Sequence, residues 1–78
     1  MAISYEGDIA TFGETASVED AEGLLEWIQR TPKGSAELAG CTHVHAADLQ
    51  VLMASRLPIA GWPRDPDFKA WLMAALTH

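Results

Sequence analysis

The sequence predicts a small α/β domain with a mostly parallel or mixed sheet of three to four strands and about three helices. Short β-prone segments alternate with amphipathic helical segments, and this alternation implies right-handed crossovers between parallel strands. The 78 residues are 49% hydrophobic, which is typical of a folded globular chain. Because a chain of this length buries only a small core, residues 1–78 are predicted to form a single domain. Helices are expected to cover mainly one face of its sheet.

The first two strands are predicted to form a hairpin. Residues 3–5 and 9–12 are rich in β-branched and aromatic side chains, and Glu6-Gly7-Asp8 between them has the composition of a turn. Gly13 then ends the second strand.

A first helix is predicted over residues 17–30. Ser17 has the features of an N-cap, because acidic residues follow in the first turn, where the helix dipole favours negative charge. Apolar residues at helical spacing are predicted to face the core: Val18, Ala21, Leu24, Leu25 and Ile28. Acidic residues are predicted to form a solvated outer face: Glu19, Asp20, Glu22 and Glu26.

A second strand region is predicted over residues 35–44, followed by a helix over 47–57. The inner side of this helix is predicted to carry Leu49, Leu52 and Met53. Pro58 ends the helix, and residues 59–62 fit either a short last strand or a loop.

A third helix is predicted to begin at Asp65-Pro66, because an acidic N-cap followed by proline at the first helical position is a frequent helix start. Its apolar stripe consists of Phe68, Trp71, Leu72, Ala75 and Leu76.

Charge and composition restrict the classes of function. The formal net charge of −6 disfavours nucleic acid, whose binding depends on Lys and Arg contacts to phosphates, and favours a basic partner. Cys41 is the only cysteine, so no intramolecular disulfide forms. No apolar run approaches the length of a membrane span and no signal peptide is evident, so a cytoplasmic location is predicted. The serines suggest no activated nucleophile and the glycines no phosphate loop, so the chain is predicted not to be an enzyme.

The strand-to-helix corner at residues 42–48 is the predicted functional region. It is polar between apolar flanks, and ligands and partners of α/β folds often bind beyond strand ends and at helix N-termini. Trp62 is included as the tryptophan predicted to be exposed to a partner, although it could instead close one end of the core. The residues predicted to contact a partner are His43, His45, Ala46, Ala47, Asp48, Gln50 and Trp62.

Two blocks of the sequence carry a resemblance to a known family. Glu37-Leu38-Ala39 stands where that family has Asp-Leu-Ser, and residues 45–49, His-Ala-Ala-Asp-Leu, stand where it has Asp-Ser-Ser-Gly-Leu. The spacing between the blocks also fits. On these motifs the chain resembles the STAS domain of bacterial anti-sigma-factor antagonists and of sulfate-transporter tails. The resemblance implies a hairpin, a helix and a strand that leads into the next helix.

The chain departs from the STAS pattern at the switch motif. Both serines of the motif are alanine, Ala46 and Ala47, so the hydroxyl that is phosphorylated in partner-switching proteins is missing. The glycine of the motif is Asp48, and its leading acid is His45. The resemblance therefore implies a domain that keeps the fold and the partner surface without phosphorylation at that site. Asp48 would either hold the domain in one binding state or simply stabilise the first turn of its helix.

The predicted function is a non-catalytic protein-interaction module in bacterial signalling, with no cofactor. The resemblance implies a kinase-type anti-sigma factor or a related regulator as its partner. One alternative is a small metal-binding protein, because His43 and His45 would lie on the same side of a strand near Asp48. The other is a structural subunit that forms homo-oligomers through an open edge of its sheet.

Overall fold

The computed structural model describes residues 2–76, and within that range it contains six short strands and three helices. The strands are β1 (Ile3–Glu6), β2 (Ile9–Phe12), β3 (Thr15–Ala16), β4 (Ser35–Glu37), β5 (His43–Val44) and β6 (Ile59–Gly61). The helices are α1 (Val18–Arg30), α2 (Ala46–Ser55) and α3 (Pro66–Leu76). The predicted α/β class is therefore confirmed.

The main sheet has the strand order β1-β2-β4-β6 and is mixed. Strands β1 and β2 form the predicted antiparallel hairpin, whose turn includes Gly7 at a φ of 60°, a conformation that glycine adopts without steric cost. The next two pairings, β2 with β4 and β4 with β6, are parallel. The segment 59–62, left open between strand and loop, thus contributes a strand at the edge of the sheet.

The predicted strand region 35–44 is wrong as one unit, because the structure divides it between two sheets. After β4 the chain turns away, and β5 pairs in parallel with β3 in a separate two-stranded sheet. The backbone amides of Thr42 and His43 donate to the carbonyl of Glu14, and the amide of His45 donates to the carbonyl of Ala16. These hydrogen bonds tie the strand-to-helix corner to the segment that precedes α1.

Alternate residues of the main strands face a buried core on one side of the sheet. Ile3, Ala10, Phe12 and Ala36 are buried, whereas Ile9 and its neighbours on the opposite face are exposed. This alternation is typical of a sheet that is packed on one face. It agrees with the prediction that the helices cover mainly one side.

The prediction of Ser17 as the N-cap of α1 is confirmed, and the predicted inward face is confirmed at Leu24 and Ile28 only. Val18 is 56% exposed and Leu25 is 43% exposed, while Asp20, Leu24 and Trp27 are buried. The buried face contains Asp20 because this carboxylate turns back to accept hydrogen bonds from the Ser17 backbone amide and hydroxyl, at 2.9 and 3.1 Å. The solvated acidic face therefore consists of Glu19, Glu22 and Glu26.

The predicted inward face of α2 is likewise confirmed only in part, at Leu49 and Leu52. Leu52 is buried as expected, but Met53 is exposed and Asp48 takes an inner position with no exposed surface. In α3, Leu72 is buried while Trp71 is 53% exposed. Apolar residues lie on nearly every side of both helices, so their periodicity does not distinguish the face that packs on the core.

Candidate functional site

The first turn of α2 begins at His45, which serves as the N-cap. The His45 Nδ1 atom accepts a hydrogen bond from the Ala47 amide at 3.0 Å, a role more often filled by serine, threonine, asparagine or aspartate. The Leu49 amide donates to the His45 carbonyl at 3.1 Å. The helix therefore follows β5 directly, as the sequence predicted, although it begins at Ala46 and ends at Ser55.

The predicted partner residues of the corner divide into exposed and buried groups. His43, His45 and Ala46 are exposed, and Ala47 is half-buried. Asp48 is fully buried, so its carboxylate does not lie on the surface where a partner would contact it. Its inclusion as a surface contact is corrected on this point, because α2 turns this side chain to the same inner side as Leu52.

Asp48 is a buried carboxylate without a hydrogen-bond partner. Neither Oδ1 nor Oδ2 is hydrogen-bonded to any residue within 2–76. The pKa of Asp48 is raised from 3.8 to about 6, mainly by burial and also by the charge of Asp20, while His45 opposes the rise. A buried carboxylate that lacks donors favours its neutral form, so this side chain titrates much closer to neutral pH than an exposed aspartate.

The groups around Asp48 come from three other segments of the chain. The Tyr5 hydroxyl, on β1, is also buried without a hydrogen-bond partner in the described part of the chain. Burial raises the pKa of Tyr5, and the charges of Asp20 and Asp48 add to this effect. Burial likewise raises the pKa of Cys41, whose Sγ lies 3.4 Å from the His43 carbonyl oxygen. The two carboxyls, the tyrosine hydroxyl and the cysteine thiol are all groups that become negatively charged when they lose a proton. We call them the Asp48 cluster (Tyr5, Asp20, Cys41 and Asp48).

An open groove of about 590 Å³ runs between α1 and α2. Its lining consists mainly of small and aliphatic side chains. Two of its polar residues are Gln50, a predicted partner contact, and Glu22, which belongs to the acidic face of α1. The full lining consists of Ala21, Glu22, Leu25, Ala47, Gln50, Val51, Ala54 and Ser55. Of the predicted contact residues, Ala47 and Gln50 therefore belong to this groove.

The acidic face of α1 lies beside the groove. Glu19, Glu22 and Glu26 are all exposed and are spaced by three and four residues, so they share one side of the helix. Glu22 is itself part of the groove lining. The groove therefore combines an apolar floor with a negatively charged flank.

Trp62 is half-buried and packs against the core, which is the alternative that the sequence left open. The most exposed tryptophan is Trp71 on α3, whose ring stacks on Phe68 with 6.1 Å between the ring centroids. Trp27, in contrast, is buried and lies 5.3 Å from the Tyr5 ring.

The His-x-His pair lies at the surface, with His43 on β5 and His45 at the N-cap. Nδ1 of His45 is already engaged with the Ala47 amide, and Asp48 is buried on the inner side of α2. Among residues 2–76, no group of three or more His, Cys, Asp or Glu side chains is placed to hold a metal ion. His78, considered as a further ligand, lies outside the described residues.

Sequence reasoning missed both the groove and the burial of Asp48. The groove depends on how α1 and α2 pack, and its exposed Leu25 had been assigned to the core. The sequence held no signal for the burial of Asp48, because apolar residues on nearly every side of α2 do not select the face that turns inward.

Comparisons with known proteins found no match. No protein-family model matches the chain, and no significant similarity was found to a curated protein or to a solved structure. The helices within residues 2–76 are all too short or too polar to cross a membrane.

Proposed function

We propose that the chain is a non-catalytic protein-interaction module of bacterial signalling that works in the cytoplasm. The observation that carries the proposal is the open apolar groove between α1 and α2, to which the predicted contact residues Ala47 and Gln50 contribute. Grooves of this kind accept an amphipathic helix, whose apolar face fills the space between two helices. The resemblance to STAS domains supports the same region, because they contact a kinase-type anti-sigma factor or a related regulator there.

The proposed occupant is an amphipathic helix of a protein partner with basic residues beside its apolar face. Its apolar side chains would cover Leu25 and Val51, which leave apolar surface open to solvent in the groove. Its basic residues would face Glu22 and the other acids of α1, and such charge complementarity favours association and orients the partner. The net charge of −6 supports a basic partner and argues against nucleic acid.

The proposal is tested with a charged substitution in the groove. Ala54→Glu places a carboxylate on the apolar floor, and Ala74→Glu is its control, since both alanines are exposed near the end of a helix. In capture from a lysate of the source organism, quantified by mass spectrometry, we expect at least a tenfold loss of the partner with Ala54→Glu and wild-type recovery with Ala74→Glu. The partner should also elute as salt is raised.

The same experiment identifies what occupies the groove. A photo-reactive phenylalanine derivative in place of Gln50 should cross-link to a basic amphipathic segment of the captured protein. Equal recovery by both glutamate variants would contradict the groove as the interface. A cross-link to a second copy of this chain would overturn the proposed occupant and would favour the structural-subunit alternative.

A further inference from the structure

We infer that Asp48 is a pH-dependent latch on the first turn of α2: the protonated carboxyl keeps this turn packed on the core, and the ionised carboxylate promotes its release. This goes beyond the proposed interaction function. Release of the turn would also move Ala47, which lines the groove. Only the resulting effect on partner binding rests on the proposed function.

The position of Asp48 is the first support. The side chain has no exposed surface, and both of its carboxylate oxygens lack a hydrogen-bond partner within residues 2–76. Ionisation in such a site costs free energy that no donor offsets. The protein can reduce this cost by keeping the carboxyl protonated or by moving it into water.

The groups that face Asp48 are the second support. From α1 the Asp20 carboxylate raises the pKa of Asp48, and from α2 itself only the N-cap His45 opposes this rise. Tyr5 on β1 and Cys41 before β5 are neutral acids whose pKa values are raised in turn by the charge of Asp48. Within residues 2–76, neither lysine nor arginine is among the charges that shift the pKa of Asp48, and no donor offsets a second negative charge at its carboxylate.

The weak attachment of the first turn is the third support. Ala46 is exposed, and the turn is joined to the two-residue strand β5. The hydrogen bonds that hold its start are the Ala47 amide to His45 Nδ1 and the His45 amide to the Ala16 carbonyl. Leu52, in contrast, anchors the middle of α2 in the core. Release of the first turn therefore disrupts less packing than release of the whole helix.

The size of the effect follows from the two pKa values. In the packed form Asp48 has a pKa of about 6, and in a released, solvated turn it returns to its ordinary value of 3.8. A difference of about two pKa units changes the equilibrium between the forms about a hundredfold as pH rises through this interval. The packed form binds the proton more tightly, so the released form gains population at the higher pH.

Amide hydrogen exchange measured by NMR tests the latch. The reporter is the Leu49 amide, bonded to the His45 carbonyl, and the reference is the Ala36 amide, bonded to the Pro58 carbonyl in the sheet. After correction for intrinsic exchange, we expect protection of Leu49 to fall by up to a hundredfold between pH 4 and pH 7 through a local opening that depends little on added urea, whereas exchange of Ala36 should require global unfolding and should increase with urea. In Asp48→Asn, protection of Leu49 should not depend on pH.

A matched control removes the same charge elsewhere. Asp67→Asn changes an exposed acid at the start of α3 and should keep the wild-type pH dependence at Leu49. If exchange of Leu49 increases with urea as steeply as that of Ala36, or if Asp48→Asn keeps the wild-type pH dependence, the latch is refuted. Should Asp48→Asn not fold, titration of the wild-type Asp48 carboxyl carbon decides: a midpoint near 6 supports the latch, and one below 4.5 overturns it. None of these readouts requires a partner.

Discussion

At the scale of single residues, two opposing effects act on the Asp48 carboxylate at the start of α2: the helix dipole stabilises it and burial destabilises it. An acid in the first turn of a helix gains about 0.3–1 kcal/mol from the helix dipole, which is the stabilising role the sequence offered for Asp48. Its rise in pKa from 3.8 to about 6 corresponds to a cost of about 3 kcal/mol when the carboxyl is ionised. Desolvation therefore outweighs the dipole, and Asp48 opposes folding at neutral pH instead of stabilising its helix.

A second feature at the scale of single residues is the close approach of the Glu37 side chain on β4 to Gly61 on β6. Glu37 and Gly61 are paired in the sheet, and Oε1 of Glu37 accepts a hydrogen bond from the Ala39 amide at 2.9 Å. A Cβ atom at position 61 would overlap the Glu37 carboxylate. The glycine therefore provides the space in which this hydrogen bond forms.

We predict that Gly61→Ala lowers the free energy of unfolding by about 1–2 kcal/mol, because the Glu37 side chain must move and lose its hydrogen bond to the Ala39 amide. Urea unfolding measures the change. The same substitution in a Glu37→Ala background should cost less than about 0.5 kcal/mol. As a control, Gly40→Ala should be nearly neutral, since a Cβ there meets only the Phe12 carbonyl oxygen at 4.0 Å. An equal cost in both backgrounds would disprove the coupling.

At the scale of elements, α2 has an unusual residue at each end. Its N-cap is a histidine, and its C-cap, Arg56, has left-handed backbone angles with φ 55° and ψ 36°. The Arg56 amide closes the helix by donating to the Leu52 carbonyl at 3.1 Å. A side chain in this conformation carries a steric cost that glycine avoids, so α2 depends on its packing against α1 and the core.

We predict that Arg56→Gly raises the free energy of unfolding by about 0.5–1 kcal/mol, because glycine removes the steric cost at the helix end. Arg56→Ala separates this effect from the loss of charge, since alanine keeps the Cβ atom and should give no stabilisation. Thermal or urea unfolding of the three proteins measures the difference. Equal stabilisation by glycine and alanine would attribute the effect to the arginine charge.

For the whole molecule, the Asp48 cluster makes stability depend on pH. The unfolded chain loses the Asp48 proton near pH 3.8 and the folded chain near pH 6. Between these values the folded state binds more protons, so the contribution of Asp48 to the free energy of unfolding falls as pH rises and is constant above about pH 6.

We predict that Asp48→Asn is more stable than the wild type by at most about 3 kcal/mol at pH 7.5, and that this advantage disappears below about pH 4. The measurement is urea unfolding of both proteins across this range. Asp67→Asn again removes an exposed charge and should show no such pH-dependent advantage. A constant difference between Asp48→Asn and the wild type at every pH would rule out ionisation of Asp48 as the cause.

The sequence predicted those parts of the fold that local chemistry controls. The hairpin follows from two β-prone segments around Gly7, the start of α1 from Ser17 with an acid three residues later, and the start of α3 from Asp65-Pro66. In the site, the same local signals located the strand-to-helix corner and two residues of the groove, Ala47 and Gln50. These features are set by neighbours in the chain, and the sequence contains those neighbours.

The sequence by itself therefore determined the α/β class, the order of the main elements and the acidic character of the surface. Only the tertiary structure decided which helix faces turn inward, because apolar residues surround α2 and no periodicity selects one side. It also decided the separate pairing of β3 with β5, which joins residues 28 positions apart. Both choices depend on contacts between distant segments, and together they bury Asp48 beside Asp20 and open the groove between α1 and α2.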